Sequence, residues 1–145
     1  MYGGTTMALT RETDLGTISV SNLFFAQIIA GSFKLDECKG KVWPATRKGR
    51  QIGSPAKFNL SEFANAIEVE ESEHQGRMNI ECSIIVKFGT SISSICDIIA
   101  DYTAEMVEQK HGGKPYQITI HVAGVKSKQI AKRNLEVVKT YELEG

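Results

Sequence analysis

The chain is poor in the residues that would narrow its chemistry. It has three cysteines, three prolines and a single tryptophan in 145 residues, and no excess of either charge. Cys38, Cys82 and Cys96 have no metal-type spacing, and an odd count in a chain this long does not read as a disulfide framework. Cys82 and Cys96 lie among apolar residues, where free cysteine behaves as a small hydrophobe, so a reducing compartment fits. Cys38 follows Asp36 and Glu37, whose charge disfavours a thiolate. Seventeen basic residues balance seventeen acidic ones, whereas a dedicated nucleic-acid binder usually carries a basic excess. The longest nearly apolar run, Leu23 to Gly31, is far short of the roughly 20 residues that span a bilayer. The opening MYGGTTMALTRETDLG lacks the basic and apolar regions of a secretory signal. The expectation is a cytoplasmic protein without direct membrane insertion, so that any membrane association comes through a partner.

Catalytic signatures are equally scarce. His74, His111 and His121 fall in a turn, a helix end and a strand, with no HxH, HxxxH or HxxE spacing to pair them at a metal. Gly40 and the pair Gly112-Gly113 are too isolated to cradle a phosphate. Alternation separates Glu68 and Glu70 from Glu71 and Glu73, so those four carboxylates do not converge. No catalytic, cofactor-binding or metal-binding residue is expected.

What is present is a clear change of period along the chain. Residues 1–15 read as a loose leader and Thr17 to Val20 as a short β-prone segment. Ser21 stands where an N-cap should, before a helix from Asn22 to about Asp36 with Phe25, Ile28, Ile29, Ser32 and Phe33 on one face and Phe24 widening it. Gly31 within that helix implies close backbone packing, and Gly40 ends it before the extended KVWPA. Residues 46–65 are irregular: TRKGRQIGSPAK has loop composition, and NLSEFANA has room for one helical turn. IEVEES then alternates, His74-Gln75-Gly76 looks like a hairpin turn, and Ile80, Cys82, Ile84, Val86 and Phe88 share one face of the next strand. Glu81, Ser83 and Lys87 share the other face with Ile85. Ser91 caps a second helix, Ile92 to about His111, stopped by HGGKP. Tyr116, Ile118, Ile120 and Val122 form a last strand with Gln117, Thr119 and His121 opposite, giving a parallel strand-helix-strand crossover. Residues 126–145 read as a polar tail, partly helical. The fold class is α+β in two layers, a small mixed sheet with two helices on one face, in a domain spanning residues 16–125.

Two surfaces are candidates for function. The first is the face of the sheet away from the helices, through Glu81, Ser83, Ile85, Gln117, Thr119 and His121, as a protein-contact face. Ile85 is the clue, because an aliphatic among polar neighbours fits a contact site, or cover by the basic loop. The second is an anion or nucleic-acid patch at Arg47, Lys48, Arg50 and Lys57. These belong to one basic group with Lys39 and Lys41, and a second group holds Lys126, Lys128, Lys132 and Arg133. If the two groups meet in space they attract anions. A flexible, solvated loop and tail is the bland alternative. Trp43 beside the loop either caps the core or stacks on a base.

Together the pieces ISVSNLFFAQIIAGS, CKGKVWPA, AIEVEE, MNIECSIIVKFGTSISSICDII and YQITIHVAGV resemble the alkaline shock protein family of Gram-positive bacteria, also called Gls-type general stress proteins. ITIHVAGV and IIVKFGTSI carry most of the likeness, which covers Thr17 to Val125. Residues 46–65 fall outside the pattern, and the first helix has Phe24, Phe25 and Phe33 where small aliphatics are more familiar. The resemblance implies a non-enzymatic cytosolic adaptor or scaffold linked to cell-envelope or alkaline stress, without cofactors. It further implies self-association into a homo-oligomer and a protein partner, either a small membrane anchor or a carboxylase subunit. Regulation of fatty-acid synthesis at acetyl-CoA carboxylase is a related expectation. A KH-like nucleic-acid module is the rival, since such domains grip single strands with Gly-containing basic loops. TRKGRQIG is not a GxxG between two helices, however, which makes nucleic acid the weaker expectation.

Overall fold

The computed structural model describes residues 20–53, 57–72 and 77–141. The expected leader, the strand-like residues 17–19 and the turn at His74-Gln75-Gly76 lie outside them. Three helices and five strands follow in the order α1 (Val20–Ser32), β1 (Val42–Ala45), α2 (Leu60–Asn65), β2 (Glu68–Glu71), β3 (Met78–Lys87), α3 (Ile92–His111), β4 (Gln117–Lys126) and β5 (Ile130–Thr140). They form the α+β architecture expected from the sequence, with one more helix.

β3 and β4 run parallel through the middle of the sheet, joined by α3. On the outer side of β3, β1 pairs antiparallel with Ser83 to Val86 and β2 with Met78 to Glu81. β1 and β2 therefore lie end to end on one edge, and residues 46–67 leave and rejoin that edge. Beyond β4 lies β5, antiparallel and terminal in the sheet. The helices cover one face. Phe25, Ile28 and Ile29 of α1, Phe33 just beyond it, Phe63 of α2, and Ile95, Cys96 and Ile99 of α3 share one core with the sheet. The sheet contributes Ile80, Cys82, Ile84, Val86, Ile118, Ile120 and Val122.

Local signals set most helix ends. The Ser91 hydroxyl accepts from the Ser94 N–H, and Gly112 ends α3 at φ +99°, a conformation that side chains resist. The Asn59 side chain accepts from the Glu62 N–H to start α2, so the single turn expected in NLSEFANA is a real, short helix. Gly31 allows close packing: a Cβ there would stand 3.0 Å from the Tyr102 hydroxyl of α3.

Several expectations need correction. α1 already includes Val20 and Ser21, so Ser21 is not its N-cap. It also stops at Ser32, short of Asp36. The Ser32 hydroxyl donates to the Ile29 carbonyl at 2.6 Å, and successive i-to-i+3 bonds from Phe33, Lys34 and Leu35 tighten the chain into turns. Phe88 is 69 % exposed instead of completing the apolar face of β3. The strand ends at Lys87, and the Phe88 N–H turns to the Lys126 carbonyl.

The largest correction concerns the tail. Residues 130–140 are neither tail nor helix but an 11-residue strand. Its side chains are mostly exposed, so no hydrophobic alternation marks it. Arg77 helps to hold it, donating to the carbonyls of Lys114 and Pro115 at 3.1 and 2.8 Å and also to that of Tyr141. On the helix side, Lys139 lies 3.0 Å from Asp101, and the Tyr141 hydroxyl donates to Asp101 at 2.9 Å. Burial works against the charge on Lys139, but Asp101 and then Asp97 outweigh it and raise its pKa.

Candidate functional site

The sheet face away from the helices is built by the odd-numbered residues of β3, the odd-numbered residues of β4 up to His121 and the even-numbered ones beyond a bulge at Ala123, and the matching side of β5. At its upper end the chain covers itself. After β1, the Thr46 N–H donates to the Arg50 carbonyl, the Gly49 N–H to the Thr46 carbonyl, and the Ile52 N–H to the Pro44 carbonyl. Residues 46–50 are thus a tight turn, not a flexible loop, and Ile52 returns to the main core. Trp43, Ala45, Ile85 and Ile130 form a second, small apolar cluster on this face. The Lys126 ammonium sits 4.8 Å from the centre of the Trp43 ring and donates to the Gln51 side-chain oxygen Oε1 at 2.7 Å.

That cover changes the expected contact face. Ile85 is 0 % exposed, and Ser83 and Thr119 are buried as well. They offer little to a partner. Glu81, Gln117 and His121 stay half-exposed. They are joined by Glu136 and Val138 of β5, which fall in the expected tail; the β-branched pair in LEVVKT is the one sequence signal for them.

Glu81, His121 and Glu136 make a row across three adjacent strands. His121 Nε2 lies 2.5 Å from a Glu81 carboxylate oxygen, and Nδ1 lies 3.5 Å from Glu136. One atom from each residue falls within 4.8 Å of the other two, a set with the donors a divalent cation uses. The two carboxylates address opposite nitrogens of the ring, however, so the ring links them in a line instead of converging with them on one point.

Two concavities flank this row. An acidic one of about 240 Å³ is lined by Glu68, Glu70, Glu81 and Glu136 with Asn79, Gln117, Thr119 and Val138. Glu68 and Glu70 do share a side, as alternation requires, and meet carboxylates from two other strands. The second, of about 330 Å³, lies under the 46–50 turn. Arg47 and Lys48 from the turn and Lys132 and Arg133 from β5 all line it, so the two basic groups of the sequence meet in part. Arg50 does not join them, pairing at 2.9 Å with Glu62. Lys57 lines neither concavity.

The thiols are buried at Cys38, Cys82 and Cys96. Burial pushes the pKa of Cys82 and of Cys96 up to about 12, and raises that of Cys38. All three stay protonated near neutrality, which is the opposite of what a nucleophile needs. Among the described residues, no helix is long and apolar enough to cross a membrane.

No solved structure matches the chain. It is 28 % identical over 120 residues to the uncharacterized protein YloU of Bacillus subtilis (strain 168), a match covering 83 % of this chain and 97 % of YloU. The model of the alkaline shock protein family, described as having a cell envelope-related function, matches residues 10–127. A match over most of the domain, including the β3–α3–β4 crossover that organises the sheet, places this chain in the alkaline shock protein family.

Proposed function

We propose that the protein is a non-enzymatic adaptor in cell-envelope homeostasis that works by binding another protein. The observation that carries this reading is the lower half of the helix-free sheet face. There Gln117 and Glu136 stand beside Val138, which is 49 % exposed, on a strand whose outer edge has no neighbour in the sheet among the described residues. Exposed apolar surface ringed by charge, next to an open strand edge, is the chemistry of a protein contact site. The envelope-related family supports the setting. The partner is a protein at the envelope, and the same open edge serves self-association.

Capture of the tagged protein from its native lysate, with and without nuclease, tests this when run beside Val138→Asp. A discrete protein held by the wild type after nuclease, and released by Val138→Asp, supports the adaptor. Recovery of RNA, with proteins lost on nuclease treatment, overturns it.

A further inference from the structure

The concavity under the 46–50 turn has more positive charge than its own carboxylates engage. Arg47 is held by Glu68 at 2.6 Å, and Glu81 by His121. That leaves Lys48, Lys132 and Arg133 around one concavity with no carboxylate partner among the described residues. The Arg133 guanidinium donates at 2.9 Å only to the carbonyl of Lys132, which leaves most of its fork of donors unused. Like charges brought together without counter-charges repel, and an anion seated between them removes the repulsion.

The walls are built, not incidental. The pairing register skips Ala123 on both sides: Val122 and Gly124 face consecutive residues Ile84 and Ile85 of β3, while Leu135 and Lys132 of β5 face Val122 and Gly124. The bulge in the middle strand therefore coincides with extra residues, Arg133 and Asn134, on its neighbour, and bulges of this kind re-aim side chains. Gly49 closes the turn over the same point with φ +91°, where an added Cβ would come within 3.2 Å of the Ala123 Cβ. The turn thus sits directly on the bulge, which brings Lys48 to the same concavity as Lys132 and Arg133.

We propose that this concavity binds a small phosphate-bearing anion. Its volume, about 330 Å³, is at the lower end of the range of roughly 300–1,000 Å³ seen for small-molecule sites. Arg133 supplies the planar fork that suits phosphate oxygens, with Lys48 and Lys132 as point charges. Ala123, at the bulge beneath Gly49, gives a small apolar floor between these charges. This site is separate from the Val138 contact surface, so it stands or falls independently of the adaptor reading.

Calorimetric titration of the full chain with inorganic pyrophosphate at low salt is the test. The expected result is saturable one-to-one binding that weakens with added salt, and that falls at least about tenfold in Lys48→Glu and in Arg133→Glu, each removing a charge-assisted contact. Lys34→Glu, an equal charge change on the exposed far side, leaves affinity unchanged. Circular dichroism checks folding, and Lys132→Ala gives a milder variant should a charge reversal unfold the chain. Vesicles of phosphatidylglycerol against phosphatidylcholine identify the source: competition between phosphatidylglycerol vesicles and pyrophosphate assigns a lipid headgroup, and pyrophosphate binding without vesicle binding assigns a free phosphate compound. Absence of saturable pyrophosphate binding, or binding indifferent to all three pocket variants, overturns the proposal. So does tighter binding of single-stranded RNA with an affinity that grows with its length.

Discussion

Ile84 and Ile85 are neighbours on the same strand, both fully buried, and their surroundings differ sharply. Ile84 faces three helices and a continuous core that includes Phe25, Phe63 and Ile99. Ile85 faces the other way, into a cluster of Trp43 and Ala45 with Ile130 at its margin, roofed by one turn of chain. The helix side is closed by elements whose apolar stripes the sequence displays openly. Among the described residues, the other side is closed only where the 46–50 turn lies, and charge takes over beyond it. Stability resides chiefly on the first face, and the candidate binding chemistry on the second.

Substitution at the two isoleucines tests that contrast most directly. Ile84→Ala should cost about 4 kcal/mol in urea unfolding, because a core closed by three helices collapses poorly around a cavity. A cost equal to that of Ile85→Ala would break the distinction. Alkaline pH should weaken the helix side next, since Cys82 and Cys96 both lie there. The unfolded chain ionises its thiols near 9.0, while the folded chain keeps them protonated to about 12. Stability is therefore full below pH 9 and declines as pH climbs toward 12. Cys82→Ala with Cys96→Ala should flatten that decline in denaturation midpoints measured from about pH 8 to about pH 11.

Ile85→Ala should cost about 2 kcal/mol, since the turn above it can settle into the space, and calorimetric melting would report it. A smaller effect, about 1 kcal/mol, is expected for Gly49→Ala, which forces a side chain into positive φ over Ala123. Hydrogen exchange should then speed up at residues 46–52 and leave α3 protected. Last comes Asp101→Asn. Its contacts with Lys139 and Tyr141 are partly exposed, so its loss should cost under about 1 kcal/mol while loosening the end of β5 in the same exchange experiment.

The legible parts of the fold are those with a period and punctuation. α3 can be read from Ser91 to Gly112 because its cap, its apolar spacing and its stop are all local. The apolar face of β3 from Ile80 to Val86 is readable for the same reason. Phe88 breaks the pattern because nothing local announces that the strand stops one residue earlier. β5 is hidden because a terminal strand needs its backbone paired but few side chains buried, so its sequence stays polar. The candidate site is obscured in consequence, since Lys132, Arg133, Glu136 and Val138 all belong to that strand.

Apolar periodicity and capping residues act over a few turns of chain, and the α+β class and the crossover follow from them alone. Folding the basic turn onto a β-bulge, and completing the sheet with β5, required the rest of the molecule. So did bringing Lys48 to Arg133 and setting Glu81, His121 and Glu136 in one row. Those meetings depend on strand register and on where the chain crosses the sheet, which are fixed by packing between distant segments and leave no local mark.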